Sequence, residues 1–428
     1  MATTHTSRPT PTPAPAPPTA TSPDPSPRFI ASEMQLRTRK ERNFDQVEAS
    51  LPDPGAPAFQ VQASLYDKVT NWMSRYSSPN NYFGKQVGGD DVLWLFDNTA
   101  YRSSKTGEWE AEFVAAVFEP DIKCHLADVV SSVAKTLGLA DDAEERDTIE
   151  ERLIPFLWDI QTVRVFKLDH MGKDLSIGPT SFNGITADTL QVKRHKAGRF
   201  VTAKAKVPNT VKGYLDMRTF YAGEEGWAII SDIDDTIKVT NTSDPLGILR
   251  ETFIEDPRAV AGMPELYDDL KSLLPRDTPW FYLSASPYNL YPLLQEFLEQ
   301  NYPRGTMILR DSSWRSVAGL LSALTMGTEE YKVDRMDKIR SWLPKRKMIL
   351  VGDSTQSDPE AYGEIYRMYP QWVKAIFIRK VTDIAAVGMD EKNQLSRFEK
   401  AFKGVPLQVW HVFEDPKECK MMVQKLIK

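Results

Sequence analysis

Cysteine is scarce in this sequence, with Cys124 and Cys419 the only two in 428 residues. Two thiols cannot make a disulfide framework, so a hydrophobic core must hold the fold, and a reducing compartment fits. Cys124 neighbours His125, but no second pair follows at zinc-ligand spacing, so both cysteines read as buried and inert. Histidine is also rare, and its five scattered copies argue against a histidine-built metal site. An excess of positive charge is missing too: 53 Lys and Arg stand against 59 Asp and Glu, for a net charge of −6. That balance gives no support to nucleic-acid binding, although a local basic cluster can still meet anionic lipid. No apolar run reaches bilayer-spanning length. The first residues lack the apolar core of a signal peptide, and their prolines prevent an amphipathic transit helix. The expectation is a cytoplasmic chain whose membrane contacts are peripheral.

What is present falls into three stretches. Residues 1–60 read as a disordered tail, with nine of the thirty prolines before residue 28. Pro15-Ala16-Pro17-Pro18 has the spacing of an SH3-type ligand without its flanking arginine, so a solvated tail is the plainer reading. Arg37, Arg39, Lys40 and Arg42 follow, either a solvated linker or a contact for anionic headgroups. Residues 61–224 begin with Leu65, Val69, Trp72, Met73 and Tyr76 on one helical face. Short alternating runs then suggest a β-sandwich or small barrel: Val92–Phe96, Trp109–Phe113, Val163–Leu168, Val201–Val207 and Tyr214–Tyr221. Leu126–Leu137 and Ala143–Leu157 interrupt them as helices.

Residues 225–428 alternate strand and helix. Trp227–Ile230, Trp280–Leu283, Thr306–Leu309, Met348–Val351, Val373–Ile378 and Leu407–Phe413 read as strands, with helices at Met263–Leu274, Tyr288–Leu298, Lys332–Leu343 and Pro359–Met368. That order predicts an α/β fold with a doubly wound parallel sheet and right-handed crossovers. Chemistry-bearing residues recur where strands end. Asp232 and Asp234 follow the first strand, Ser284 the second, and Gly352-Asp353 through Asp358 the fourth, while Lys332 begins a helix that can reach the same rim. Alone, each has a bland reading as a loop acid, a helix cap, a solvated lysine or a turn. Together they converge on the edge where open parallel sheets bind ligands. Paired carboxylates at that edge suit a divalent cation and a phosphate, one oxygen attacking phosphorus while another carboxylate moves a proton.

Asp232-Ile233-Asp234-Asp235-Thr236, Ser284, Lys332 and Gly352-Asp353 through Asp358 resemble the four ordered motifs of haloacid dehalogenase superfamily phosphatases. More narrowly, Trp227 to Lys238, Tyr282 to Leu290, Gly305 to Asp311 and Val351 to Tyr362 resemble the catalytic domain of the fungal actin patch protein phosphatidate phosphatase family. The β-rich stretch resembles that family's N-terminal domain more weakly, and the long C-terminal extension of some relatives is missing. The resemblance implies Asp232 as nucleophile, Asp234 as general acid and base, Thr236 as loop support, Ser284 as a phosphoryl hydrogen-bond donor and Lys332 as charge balance. It also implies Mg²⁺ held by Asp232, the Asp234 carbonyl, Asp353 and Asp358, an oxygen-only set of the kind Mg²⁺ favours. Asp235 reads as structural.

The gaps Thr236–Ser284 and Ser284–Lys332 are too short for a large cap domain, so an open site is expected, fit for a phosphate presented at a surface. The implied substrate is phosphatidate at a membrane surface, converted to diacylglycerol and phosphate, with a location in the cytoplasm, at membranes or at cortical actin patches. Two competing readings are a phosphoprotein phosphatase of the same superfamily and a cortical adaptor working through SH3-type partners of the Pro-rich tail. For bilayer contact the candidates are Arg37–Arg42, the Leu65–Tyr76 face, and Trp314 with Val317, Leu320, Leu321 and Leu324 at helical spacing, with core packing the default reading for both apolar faces.

Overall fold

The computed structural model describes residues 27–53, 84–122, 124–139, 142–311, 317–382 and 389–427. Residues 1–26, the Leu65–Tyr76 face and Trp314 lie outside the described residues.

Eleven strands build one sheet: β1 (Lys85–Gln86), β2 (Val92–Leu95), β3 (Asn98–Arg102), β4 (Trp109–Glu119), β5 (Asp159–Ile160), β6 (Arg164–His170), β7 (Lys173–Ile177), β8 (Ile185–Gln191), β9 (Phe200–Lys206), β10 (Lys212–Tyr214) and β11 (Asp216–Tyr221). The main path runs β1-β6-β9-β11-β3-β4-β2-β10, with β5 and β8 on β4 and β7 on β6. Period-two alternation sends Phe166 and Leu168 of β6 into one core with Phe113, Ala115 and Val117 of β4. The strands β3 and β8 escape a reading of apolar alternation because Asn98, Thr99, Thr186 and Asp188 interrupt it. Pairing with the long β4 sets their register instead. The helices Leu126–Thr136 and Ala143–Leu157 lie where the sequence suggested.

The second sheet has six strands: β12 (Glu225–Asp232), β13 (Trp280–Pro287), β14 (Thr306–Arg310), β15 (Lys345–Asp353), β16 (Val373–Arg379) and β17 (Trp410–Phe413). Its order is β14-β13-β12-β15-β16-β17 and every ladder is parallel. The chain starts in the middle, winds outward to β14, then returns to build the other half. Both faces are covered. Ala228 and Ile230 pack with Met336, Ile339, Tyr362 and Ile365, whereas Ile229 belongs to the opposite core with Tyr267, Leu270 and Leu294. This double burial is why the strands read as continuous apolar runs. At the other end of β12, the buried Arg346 guanidinium donates to the carbonyls of Gly223 (2.8 Å) and Trp227 (2.6 Å) and to Asp277 (2.8 Å). It fixes β15 to the entry of β12.

Several expectations need correction. The helix carrying Lys332 begins at Thr328, so the lysine sits in its second turn rather than its first. Helices at Pro245–Phe253, Met389–Lys392, Leu395–Ala401 and Lys417–Ile427 were not anticipated. Within the stretch expected to be a disordered tail, Pro27–Glu41 and Phe44–Ser50 are helical. Their anchor is tertiary: Phe44 is fully buried, and Arg39, expected at the surface, is buried against Glu48 at 2.6 Å and Thr325 at 2.7 Å. The Val317, Leu320, Leu321 and Leu324 face packs into the core, as its helical spacing suggested.

Candidate active site

Where the winding direction reverses, between β12 and β15, the carboxyl ends of two adjacent strands leave a crevice. Asp232 closes β12 and Asp353 closes β15, so the sheet brings these two residues, 121 positions apart, to one rim. After Asp232 the chain turns sharply, with the amides of Ile237 and Lys238 both bonded to the Ile233 carbonyl. Asp235 takes a left-handed conformation in that turn (φ 59°), unusual outside glycine and asparagine-like residues. Its carboxylate accepts from the amides of Thr240, Asn241 and Thr242 and from the Thr242 hydroxyl at 2.6–2.9 Å. Asp235 therefore ties down the loop that follows, in keeping with its structural reading.

The other carboxylates converge. Thr236 Oγ1 lies 3.0 Å from Asp232 Oδ2 and 3.1 Å from Asp353 Oδ2. Asp232 Oδ1 is 2.7 Å from Lys332 Nζ, yet it accepts no hydrogen bond of good geometry. Lys332 Nζ also donates to Asp358 and, at 3.0 Å, to Gln356 Oε1. The second oxygen of Asp358 accepts from the Asp353 amide at 3.0 Å. Gly352 makes this approach possible, since a Cβ there would lie 2.5 Å from Asp358 Oδ2. Asp234 stands beside the cluster rather than in it: Ser284 Oγ donates to its Oδ2 at 2.5 Å and Thr240 Oγ1 to its Oδ1 at 2.9 Å. Ser284 Oγ in turn accepts from the Ser286 amide at 2.9 Å.

Asp232, Ser284, Lys332, Asp353 and Asp358 have 0% exposure and Asp234 has 2%. Burial, then the charge of Asp358, pushes the Asp232 carboxyl well above its ordinary range. Burial likewise pushes Asp358 up to about 7, against the pull of Lys332. Burial alone would lower Lys332, but the carboxylates of Asp232, Asp358 and Asp353 outweigh it and raise the ammonium. One lysine does not balance three carboxylates in a dry site. One oxygen from each of Asp232, Asp353 and Asp358 lies within 4.8 Å of the others. The all-oxygen donor set, with more carboxylates than Lys332 can balance, suits a hard divalent cation. The side chain of Asp234 is not among these donors.

The cluster's side chains are buried, where the short gaps suggested an open site. Thr242, Thr325 and, from the helix Pro27–Glu41, Gln35 and Arg39 border the space beside Thr355 and Gln356. Gln35 Nε2 donates to Thr328 Oγ1 at 2.5 Å, and that hydroxyl lies 2.7 Å from Ser357 Oγ, beside Asp358. Arg397 supports the acidic loop from outside, donating to the carbonyls of Ser354 and Gln356 at 2.5 Å while paired with Glu360 at 2.9 Å. Gln356, Thr240 and Arg397 were missed as site residues. Gln356 lay within a quoted motif, but nothing local marks the other two.

Residues 227–380 match the family model for the catalytic domain of phosphatidate phosphatase APP1. Over 296 residues, 64% of this chain, the sequence is 30% identical to phosphatidate phosphatase APP1 of Saccharomyces cerevisiae, covering 49% of that protein. An uncharacterized protein of Schizosaccharomyces pombe is 29% identical over 158 residues, 36% of this chain and 25% of that protein. The chain spans about half the length, or less, of these curated relatives.

Proposed function

We propose, from the match of residues 227–380 to the phosphatidate phosphatase APP1 catalytic domain, that the chain hydrolyses phosphatidate to diacylglycerol and phosphate, with Mg²⁺ as cofactor. The observation that carries the reading is the meeting of Asp232, Lys332, Asp353 and Asp358 in one buried cluster, with Asp234 and Ser284 bonded to each other beside it.

In this reading Asp232 attacks phosphorus as the ester oxygen departs, forming an aspartyl-phosphate. Asp234 gives its proton to the departing alkoxide of diacylglycerol, then takes a proton from the water that cleaves the aspartyl-phosphate. Asp232 is restored and phosphate is released. Ser284 and Thr240 hold the Asp234 carboxyl, and Ser284 turns to a phosphoryl oxygen when substrate is bound. Lys332 lowers the repulsion between the Asp232 carboxylate and the incoming phosphate. Asp232, Asp353 and Asp358 are the side chains that would hold Mg²⁺, which supplies charge neutralisation for two anions that must touch.

Around this core we read residues 225–428 as a haloacid dehalogenase-like domain without a large cap, and 61–224 as a β-rich N-terminal domain of the same family. No helix among the described residues is long and apolar enough to cross a membrane. Peripheral action at membranes or cortical actin patches, and SH3-type partners of the Pro-rich tail, belong to the same proposal.

The test is phosphate release from phosphatidate in mixed micelles, with Mg²⁺ or with EDTA, and with Asp232→Asn as control. Release that needs both Mg²⁺ and Asp232 supports the reading. Release by the Asp232→Asn variant would sink the mechanism, and turnover of phosphopeptides but not lipid would reassign the substrate.

A further inference from the structure

Phe182 is 93% exposed, more than any other large apolar side chain among the described residues. A single exposed apolar residue is ordinary on its own, so its place in the fold decides what it means. It stands at the tip of the turn 181–184, between β7 and β8. The Gly184 amide closes that turn on the Ser181 carbonyl at 3.0 Å, and the Ser181 amide bonds the Ile185 carbonyl at 2.8 Å. Gly184 is left-handed (φ 71°), and a Cβ there would lie 2.4 Å from Ile160 Cγ2.

The turn is fastened to strand ends of the second sheet. Asn183 Nδ2 donates to the carbonyl of Asp311, the residue after β14, at 2.8 Å. The Asn183 carbonyl accepts at 2.5 Å from the hydroxyl of Tyr288, the residue after β13. β13 also carries Ser284, the partner of Asp234. Because β13 and β14 run parallel to β12, their carboxyl ends share the rim of Asp232. Phe182 is therefore held in solvent on the same side of the molecule as the acidic cluster.

Two further residues adjoin the end of β14. Arg310 closes that strand and, among the described residues, donates through Nη2 alone, to the carbonyls of Met326 at 3.1 Å and Gly327 at 3.3 Å. Its guanidinium lies over the Tyr331 ring and meets no carboxylate among the described residues. Met326 is itself exposed. A stable protein interface buries about 800 Å² a side, and the exposed polar residues Ser181 and Asn183 flank Phe182 and interrupt any continuous apolar face. A bilayer surface asks for less: an aromatic ring that enters the acyl boundary and a cation for anionic headgroups.

We propose that the Phe182 turn, with Arg310 and Met326, is the surface by which the rim docks on an anionic lipid membrane. Phe182 enters the acyl boundary and Arg310 meets a lipid phosphate. The inference rests on the phosphatase reading for its choice of a lipid surface, and it deepens that reading by naming how a membrane-borne substrate is reached. Phe182 touches none of the reacting groups, so it acts on access to the membrane rather than on the bond broken.

The experiment uses the full chain and vesicles of phosphatidylcholine, with or without phosphatidylserine, in EDTA. Thermal unfolding first verifies that each variant folds. Flotation measures binding by wild type, Phe182→Ser, Phe182→Leu and Arg310→Gln. Loss of an inserted ring implies about 10-fold weaker binding for Phe182→Ser, and Phe182→Leu recovers part of it. Phosphatidylserine strengthens wild-type binding, and Arg310→Gln removes part of that gain. Cys124 and Cys419 are buried, so an environment-sensitive dye on Phe182→Cys reports the turn, and its emission shifts to the blue on vesicles. Turnover is then measured with Mg²⁺ on vesicle-borne phosphatidate and on monomeric dioctanoyl phosphatidate. Phe182→Ser raises the apparent KM on vesicles by about 10-fold, and much less on the monomer. Unchanged vesicle binding, a dye that does not shift, or equal losses on both substrates overturns the inference. An undiminished phosphatidylserine gain in Arg310→Gln overturns its charged part. If the dye shifts and Phe182→Ser loses binding while neither form of phosphatidate is hydrolysed, the phosphatase reading fails and the docking surface stands.

Discussion

Lys332 Nζ lies 2.7 Å from Asp232 Oδ1 and bonds Asp358 as well, so one buried ammonium is shared by a carboxylate at the end of β12 and one at the start of the helix Asp358–Met368. Removing it leaves several acids facing one another without a cation. In EDTA, Lys332→Met should lower unfolding stability by about 3–5 kcal/mol, the range for breaking a buried pair. Urea titration followed by tryptophan fluorescence measures it. A change below about 1 kcal/mol would mean that the carboxyls are already protonated and need no partner.

Divalent metal should stabilise the fold by binding the native cluster only. At a hundredfold excess over its dissociation constant, Mg²⁺ adds about 2.7 kcal/mol through mass action. The melting temperature should therefore rise on replacing EDTA with Mg²⁺, and Asp353→Asn or Asp358→Asn should abolish most of that rise. An undiminished rise in both variants would place the ion elsewhere.

Ser284 and Thr240 bond the two oxygens of Asp234, an arrangement that fits its proposed role in proton transfer rather than as a metal ligand. Asp234→Asn should lower kcat on phosphatidate by about 10²–10⁴-fold while leaving the Mg²⁺-induced rise in melting temperature in place. Loss of both together would make Asp234 a ligand side chain.

Far from the site, His170 of β6 is 1% exposed, packs against Phe113 and Tyr221, and has no hydrogen-bond partner on either ring nitrogen. Burial lowers its pKa below the ordinary value. The unfolded chain then takes up the proton first, so the stability due to neutral His170 is full above about 6.5 and falls as the pH drops towards the depressed folded value. His170→Phe should flatten the decline in urea stability between pH 7 and 5. An unchanged slope would assign that decline to other groups.

Asp232, Ser284 and Asp353 were legible because each directly follows an apolar run buried on both faces, and strand ends in such a sheet share a rim. Asp358 came with the same loop, and Lys332 became meaningful only through the ordered motifs. The enclosure of the site was not legible. Gln35 meets Thr328 across 293 positions and Arg39 meets Thr325 across 286, contacts that no local pattern encodes. A sequence rich in Arg and Lys reads as solvent-facing until Glu48 and Thr325 are seen to receive Arg39. The polar strands β3 and β8 were missed for a related reason: their pairing with β4, not their own alternation, makes them strands.

The outermost parallel strand, β14, does not end the molecule. The hydroxyl of its Thr306 lies 2.7 Å from that of Thr99 in β3, so the eleven-stranded half shields that flank. A recombinant fragment trimmed to the catalytic segment would bare a row of unused amides and carbonyls there, an invitation to strand-to-strand self-association. The two halves are thus better regarded as one folding unit than as a removable attachment beside an independent catalytic domain.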